Sequence, residues 1–187
     1  MMIPWVVPTV IAGLLWSWIY ANPYGLLQYL VRLVTGGRVT DFAILSNTST
    51  ALWGVIVAAL WKQIPLMALL LLAGMQNVPD DILEAAKIDG AGYMTRLIRI
   101  VIPYMKSVIQ VSVSMCIIEN FKQYPLFATL TNGGPTGATT TLAVLSYDEA
   151  FVNYNYGSGA AVTTVWLLLM IVVVFVFKRI FRTDADA

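Results

Sequence analysis

Histidine is absent from this chain of 187 residues, and cysteine occurs once, at Cys116. Without histidine, the chain cannot supply an imidazole to a Ser-His-Asp triad, to a zinc ion or to a haem iron. A single cysteine forms neither an internal disulfide nor a cysteine-cluster metal site. We therefore expect no metal centre and no histidine-based catalysis in this protein.

Charged residues are also scarce. They make up 11% of the chain, against about 25% in typical soluble domains, whereas 59% of the residues are hydrophobic. Too little polar material is left to cover a hydrophobic core in water. The formal net charge of +1 gives no strong field for nucleic acid, so we expect no such partner. The composition predicts an integral membrane protein in contact with lipid.

Four apolar stretches are candidates for membrane-spanning helices, which need about 20 apolar residues. They run over approximately 3–20, 51–74, 103–126 and 158–177. The fourth is the clearest, because it carries no charge and is followed by Lys178 and Arg179. The third is the weakest, because polar residues such as Glu119 and Lys122 interrupt it. We interpret residues 1–187 as a single transmembrane domain, an all-α, polytopic membrane protein.

The distribution of lysine and arginine predicts the orientation of these spans. Most basic residues lie between the second and third spans, at the start of the third, or in the C-terminal tail: Lys87, Arg96, Arg99, Lys106, Lys178, Arg179 and Arg182. The loop 21–50 has only two, and the loop 127–157 has none. Because loops rich in lysine and arginine stay in the cytoplasm, we expect the middle loop and both termini there.

The middle loop, residues 77–102, is predicted to form a short helix followed by a second one. Pro79 and the two acidic residues after it favour a helix start, because a proline fits the first turn and acids suit its positive end. Gly90 is a natural stop, and a second helix begins at about Tyr93. This is a compact knob projecting from the membrane. Taken alone, it is compatible with an ordinary capped amphipathic helix.

The sequence of the knob resembles a known motif. Glu84, Ala85 and Ala86, followed by Gly90 and later by Ile100-Val101-Ile102-Pro103, are similar to the EAA loop of permease subunits of binding-protein-dependent ABC importers. Ile102 departs from the leucine usual in that family. The resemblance implies a cytoplasmic coupling helix that docks on an ATPase subunit. The residues it assigns to ATPase coupling are Glu84, Ala85, Ala86, Asp89 and Gly90.

Two other segments extend the resemblance to the carbohydrate type of these permeases, as in the maltose and glycerol-phosphate transporters. They are Pro4-Trp5-Val6-Val7-Pro8 and the external loop at 130–135. The resemblance implies a MetI-like ABC permease bundle with about four transmembrane helices here, in a bacterial inner membrane. It also implies a second permease subunit, two ATP-binding subunits, an extracytoplasmic solute-binding protein and a sugar-type solute. Members usually have two more N-terminal helices, so we expect this chain to lack an upstream part.

No segment of the chain matches the phosphate-binding pattern G-x-x-x-x-G-K-[ST]. ATP and Mg²⁺ are therefore expected on a partner ATPase, and the chain is expected to be a transport subunit without an enzymatic activity or bound cofactor of its own. The alternative from another class of function is a truncated or non-transporting membrane scaffold.

Several polar residues fall inside the second and third spans. An ionisable residue there costs roughly 2.5–3.5 kcal/mol on insertion scales, so such residues usually face protein or a water-filled path. The candidate substrate-path residues are Lys62, Gln63, Cys116, Glu119, Asn120 and Gln123. The resemblance places sugar-contacting positions at or near these residues on the same two helices. The alternative is a Lys62–Glu119 ion pair that holds the bundle together.

Overall fold

The computed structural model describes residues 2–181, and over this range the chain forms helices and turns with no β-strand. The helices are α1 (Ile3–Val6), α2 (Thr9–Tyr20), α3 (Leu26–Val34), α4 (Ala51–Gln76), α5 (Asp80–Ile88), α6 (Tyr93–Arg96), α7 (Ile102–Tyr104), α8 (Lys106–Phe121), α9 (Tyr124–Leu130), α10 (Leu142–Tyr147) and α11 (Tyr156–Ile180). Short π-helical segments, Leu97–Val101 and Asp148–Val152, follow α6 and α10. The prediction of an all-α fold is confirmed. Arg182, part of the predicted cytoplasmic tail, lies outside the described residues.

Two helices within residues 2–181 are long and apolar enough to cross a membrane, α4 and α11. They contain the second and fourth predicted spans. The helix running from Tyr93 to Tyr104 and the following α8 pass the same test together, as a pair bent by 70° at Met105. The first predicted span contains a shorter apolar helix, α2, of 12 residues. Four complete spans therefore remain a prediction.

The first and third predicted spans are each interrupted. Residues 3–20 form α1 and α2 with a break at Val7 and Pro8, because proline disfavours helical backbone in the residue before it and has no N–H to donate. Residues 103–126 are bent at Met105, and α8 ends at Phe121 before α9 begins at Tyr124. Pro125 in the first turn of α9 suits a new helix start there.

Helix α4 contacts both the N-terminal helices and α9. Tyr20, Val55, Ala58, Leu126 and Leu130 form one buried cluster between α2, α4 and α9. The Tyr20 hydroxyl donates a hydrogen bond to the Gly54 carbonyl at 3.0 Å. Burial of these side chains and the satisfied hydroxyl fix the position of α2 against α4.

A second buried cluster lies where α4 leads into the middle loop. It consists of Val78, Val101 and Met105, with Leu71, Leu83, Leu97 and Ile109 packed against it. Close to it, Gly74 lets α4 approach α8, since a Cβ atom on Gly74 would lie 2.9 Å from Val108 Cγ1. The middle loop is thus attached directly to α4 and α8.

The segment between α3 and α4 contains no helix and is ordered in part by one buried side chain. Gln28 is 3% exposed. Its Nε2 donates to the Thr40 carbonyl at 2.6 Å, and its Oε1 accepts from the Phe42 amide at 2.8 Å. Both ends of the amide are therefore used to order this loop.

Candidate functional site

A cavity of about 250 Å³ lies between the first two helices and helices α4 and α8. Its lining residues are Trp5, Thr9, Lys62, Gln63, Leu66, Glu119 and Gln123. Four of the six predicted substrate-path residues are among them, although α4 and α8 are separated in sequence by the middle loop. The structure thus brings the two polar clusters together around one space.

The two remaining predicted residues join the walls of this cavity. Asn120 Nδ2 donates to Gln63 Oε1 at 2.9 Å and to the Cys116 carbonyl at 2.8 Å. The first of these bonds links α8 to α4, and the second stays within α8. Cys116 and Asn120 therefore do not line the cavity, but they fix the position of Gln63, which does.

Lys62 is bonded to the N-terminal helices rather than to a carboxylate. Its Nζ donates to the Val7 carbonyl at 2.6 Å and to the Trp5 carbonyl at 3.3 Å. The ion pair that the described residues do contain joins Glu119 to Lys122, with Nζ and Oε1 4.0 Å apart and both side chains more than half exposed. The Lys62–Glu119 pair considered from the sequence is thus not formed.

Three lining residues were not predicted from the sequence: Trp5, Thr9 and Leu66. Trp5 and Thr9 come from the first predicted span, which contains no lysine, arginine, aspartate or glutamate to indicate a polar cavity. The prolines on either side of Trp5, Pro4 and Pro8, were the available signal, since a helix break often marks a wall of a cavity.

A larger cavity, about 670 Å³, lies beside the N-terminal part of α11. Its walls include stacked aromatic pairs, Phe121 with Trp166 at 4.4 Å and Tyr124 with Tyr147 at 4.5 Å between ring centroids. Its lining is mainly apolar, and Lys122 is its one lysine or arginine among the described residues. The smaller cavity holds both a lysine and a glutamate beside two amides, so its chemistry suits a polar solute better.

The middle loop forms the two helices expected from the sequence. Pro79 is extended and precedes α5, which runs from Asp80 to Ile88. Gly90 has φ +79°, a conformation that side chains disfavour. The Gly90 amide bonds the Lys87 carbonyl at 3.0 Å, and the Ala91 amide bonds the Ala86 carbonyl at 2.9 Å. This is a Schellman C-cap, and it explains why a glycine ends the helix.

One face of α5 is buried and the opposite face is exposed. Ala86 is buried, and Leu83 packs against the cluster of Val78, Val101 and Met105. The side chains of Glu84, Ala85 and Asp89 are exposed, and Ile88 is 87% exposed. The residues that the resemblance assigned to coupling therefore lie mostly on a free face of a firmly anchored helix, with Ala86 as the exception.

Comparison with known proteins defines the class of this bundle. A bacterial ABC transporter involved in the import of the acidic polysaccharide alginate has a chain that superposes with a TM-score of 0.83 at 18% identity, over 96% of this chain and 62% of that one. This shows the fold of a MetI-like ABC permease, as expected. Residues 1–185 match the family described as the binding-protein-dependent transport system inner membrane component. The chain belongs to this family of multi-pass membrane transport subunits, which are not themselves enzymes.

Curated relatives include sugar-transport permeases. The trehalose/maltose permease protein MalF of Thermococcus litoralis is 37% identical over 156 residues, which is 83% of this chain and 50% of that protein. The trehalose permease protein SugA of Mycobacterium tuberculosis is 34% identical over 180 residues, 96% of this chain and 56% of that protein. The glycerol-3-phosphate permease protein UgpA of Agrobacterium fabrum is 35% identical over 159 residues, 84% and 53% respectively. The chain spans about half the length of these relatives.

Proposed function

We propose that this chain is a permease subunit of an ATP-driven importer and carries a sugar or related polar solute through the small cavity. The observation that supports this most directly is the connection between two features. The helices that wall the cavity, α4 and α8, are the same helices that anchor the exposed helix α5. A force on α5 would therefore reach both walls of the cavity.

In the proposed mechanism α5 is the coupling helix. An ATPase subunit binds its exposed face at Glu84, Ala85 and Asp89. The turn at Gly90 ends α5 and directs the following residues towards α6. Because Leu83 packs against the cluster of Val78, Val101 and Met105, and Ala86 is buried, α5 moves together with α4 and α8. Closure of the ATPase pair around ATP and Mg²⁺, which this chain does not bind, would rock these helices and switch the side on which the cavity opens.

The cavity residues offer the groups that hold a hydroxyl-rich solute. Glu119 accepts hydrogen bonds, and the amides of Gln63 and Gln123 both donate and accept. The Trp5 ring gives an apolar surface against which the C–H face of a sugar can lie. Cys116 and Asn120 support this wall through the bond to Gln63.

We further propose that the chain works beside a second permease subunit and two ATP-binding subunits in a bacterial inner membrane, surrounded by lipid, with both termini cytoplasmic. An extracytoplasmic solute-binding protein delivers the solute to the loop around Gly134 and Pro135. Supporting this, that loop is folded: the Thr139 hydroxyl donates to the Gly134 carbonyl at 2.7 Å. A scaffold without transport is less well supported, because the polar cavity has no role in it.

The decisive experiment is ATP-driven uptake by the complex purified with its neighbouring subunits and reconstituted in liposomes, with trehalose and other labelled sugars. We expect Glu84→Lys to lower uptake and solute-stimulated ATP turnover by on the order of tenfold or more, since it reverses the charge at the proposed contact. Glu149→Lys, the same change on a segment predicted to be external, is the control and should have little effect. If no ATPase copurifies with the chain, or if Glu84→Lys leaves ATP turnover unchanged, the proposed coupling role is contradicted and a scaffold without transport is favoured.

A further inference from the structure

Lys62 lies in the middle of α4 but reaches the break in the first predicted span. Pro8 has no N–H, and its ring interrupts the helix, so carbonyl groups at the break need other donors. The Lys62 ammonium donates to two of them, the Val7 carbonyl at 2.6 Å and the Trp5 carbonyl at 3.3 Å. One side chain therefore joins α4 to the bend between α1 and α2.

These bonds leave one N–H group of the ammonium for a solute. An ammonium has three N–H groups, and two of them are directed at backbone carbonyls. Trp5 lines the cavity, so the same bonds fix the position of part of its wall. Lys62 lines the cavity and also acts on it by fixing the position of Trp5.

Glu119 is in a different situation on the opposite wall. Its nearest cationic partner among residues 2–181 is Lys122, at 4.0 Å, and the Glu119 side chain is 53% exposed. Exposed pairs of this kind are weak. The Glu119 carboxylate consequently keeps most of its capacity to accept hydrogen bonds from a molecule in the cavity.

We propose, on the basis of the function proposed above, that the cavity takes a neutral, hydroxyl-bearing solute in preference to an anion. The charged group that contacts the solute is the Glu119 carboxylate. Lys62 is a positioning residue, which holds the bend of the first span. Vicinal hydroxyls donate well to a carboxylate, whereas an anionic group would be placed beside a like charge. The neighbouring Gln63 and Gln123 amides suit the same neutral solute, since each can donate and accept.

The charge preference can be measured without knowing the solute. The intact complex in lipid nanodiscs carries Leu66→Cys, on the cavity wall, together with Cys116→Ser, which removes the native thiol. The introduced thiol is modified with a cationic and with an anionic methanethiosulfonate reagent. The rate for each reagent is divided by the rate of the same reagent with free cysteine, and the two ratios are compared. We expect the cationic reagent to be favoured by about threefold or more. Glu119→Gln should bring the ratio close to one, and Lys62→Met should change it less.

Preference for the anionic reagent would overturn the inference, as would a larger effect of Lys62→Met than of Glu119→Gln. Absence of reaction with either reagent would also overturn it, because the cavity would then be closed to aqueous solutes. The preference of the thiol is independent of ATP turnover. A complex that transports normally but favours the anionic reagent contradicts this inference alone, whereas failure of ATP-driven uptake with the expected preference contradicts the proposed function alone.

Hydrogen exchange tests the positioning role. In the same complex, Lys62→Met should speed amide exchange over residues 3–12 by on the order of tenfold, because two charge-assisted hydrogen bonds to the bend are lost. Lys62→Arg should keep exchange near its original rate, because a guanidinium also donates to more than one carbonyl. Lys178→Met, at an exposed lysine near the end of α11, is the control. Unchanged exchange in Lys62→Met would overturn the positioning role.

Discussion

The middle loop and the polar cavity are built in different ways, although the same helices carry both. The loop is stabilised largely by contacts between residues close in sequence, such as the C-cap at Gly90 and the packing of Leu83 against the cluster that contains Val78. The cavity depends on distant residues: Lys62 bonds Val7, and Asn120 bonds Gln63. The comparison indicates that the proposed coupling surface depends mainly on local sequence, whereas the proposed solute cavity requires residues from the whole bundle.

The largest expected effect concerns the helix contact that joins the two regions. In Gly74→Val, the new side chain would overlap Val108 and Met105, since a Cβ at Gly74 already lies 2.9 Å from Val108 Cγ1 and 3.0 Å from Met105 Cε. We expect a loss of about 1–3 kcal/mol in the free energy of unfolding, from overpacking. Unfolding in mixed detergent micelles measures it. Ala73→Val, at the neighbouring exposed position, is the control, and an equal loss in both variants would contradict the close contact.

An intermediate effect is expected at the turn of the middle loop. Gly90→Ala forces a side chain into a φ of +79° and should cost about 1 kcal/mol in stability. Gly92 has open space around it and a negative φ, so Gly92→Ala should cost much less. The same unfolding measurement applies. If Gly90→Ala is as stable as Gly92→Ala, the middle loop is not fixed by its C-cap, and its local origin is in doubt.

The smallest expected effect concerns the bond across the cavity. A double-mutant cycle of Gln63→Leu and Asn120→Leu should give a coupling of about 0.6 kcal/mol, the average for hydrogen bonds between membrane helices. Unfolding of the two single variants and the double variant supplies the cycle. A cycle of Gln63→Leu with Asn153→Leu, at the residue that follows the second π-helical segment and does not line the cavity, should give no coupling. Strict additivity at Gln63 and Asn120 would mean that their 2.9 Å contact adds nothing to stability.

The sequence was sufficient to predict the features that depend on local chemistry. The acidic start of α5, its stop at Gly90 and the later start at Tyr93 all follow from residues within a few turns of one another. The same holds for α11, whose residues 158–177 carry no charge. The family resemblance likewise rested on the short motif around Glu84. These are properties of propensity, capping and hydropathy, which need no tertiary information.

What could not be predicted depends on helix bends and distant partners. Hydropathy treats residues 3–20 as one span, but Pro8 divides it and exposes carbonyls that Lys62 then binds. The sequence also allowed a Lys62–Glu119 ion pair, since two opposite charges on adjacent helices attract each other. The direction of the Lys62 side chain was decided by unbonded carbonyls, which the sequence pattern does not display.

The length of α8 has a consequence for the surrounding bilayer. Its 16 residues give about 24 Å of helix, less than the roughly 30 Å of a typical hydrocarbon layer. The bend at Met105 prevents the preceding helix from extending it in the same direction. The bilayer beside α8 must therefore be locally thinner, or neighbouring helices must shield the ends of α8 from lipid. The polar residues at its C-terminal end, Glu119 and Asn120, then lie closer to water than their place in the predicted span suggests. The length of the acyl chains thereby affects the surroundings of the proposed solute cavity.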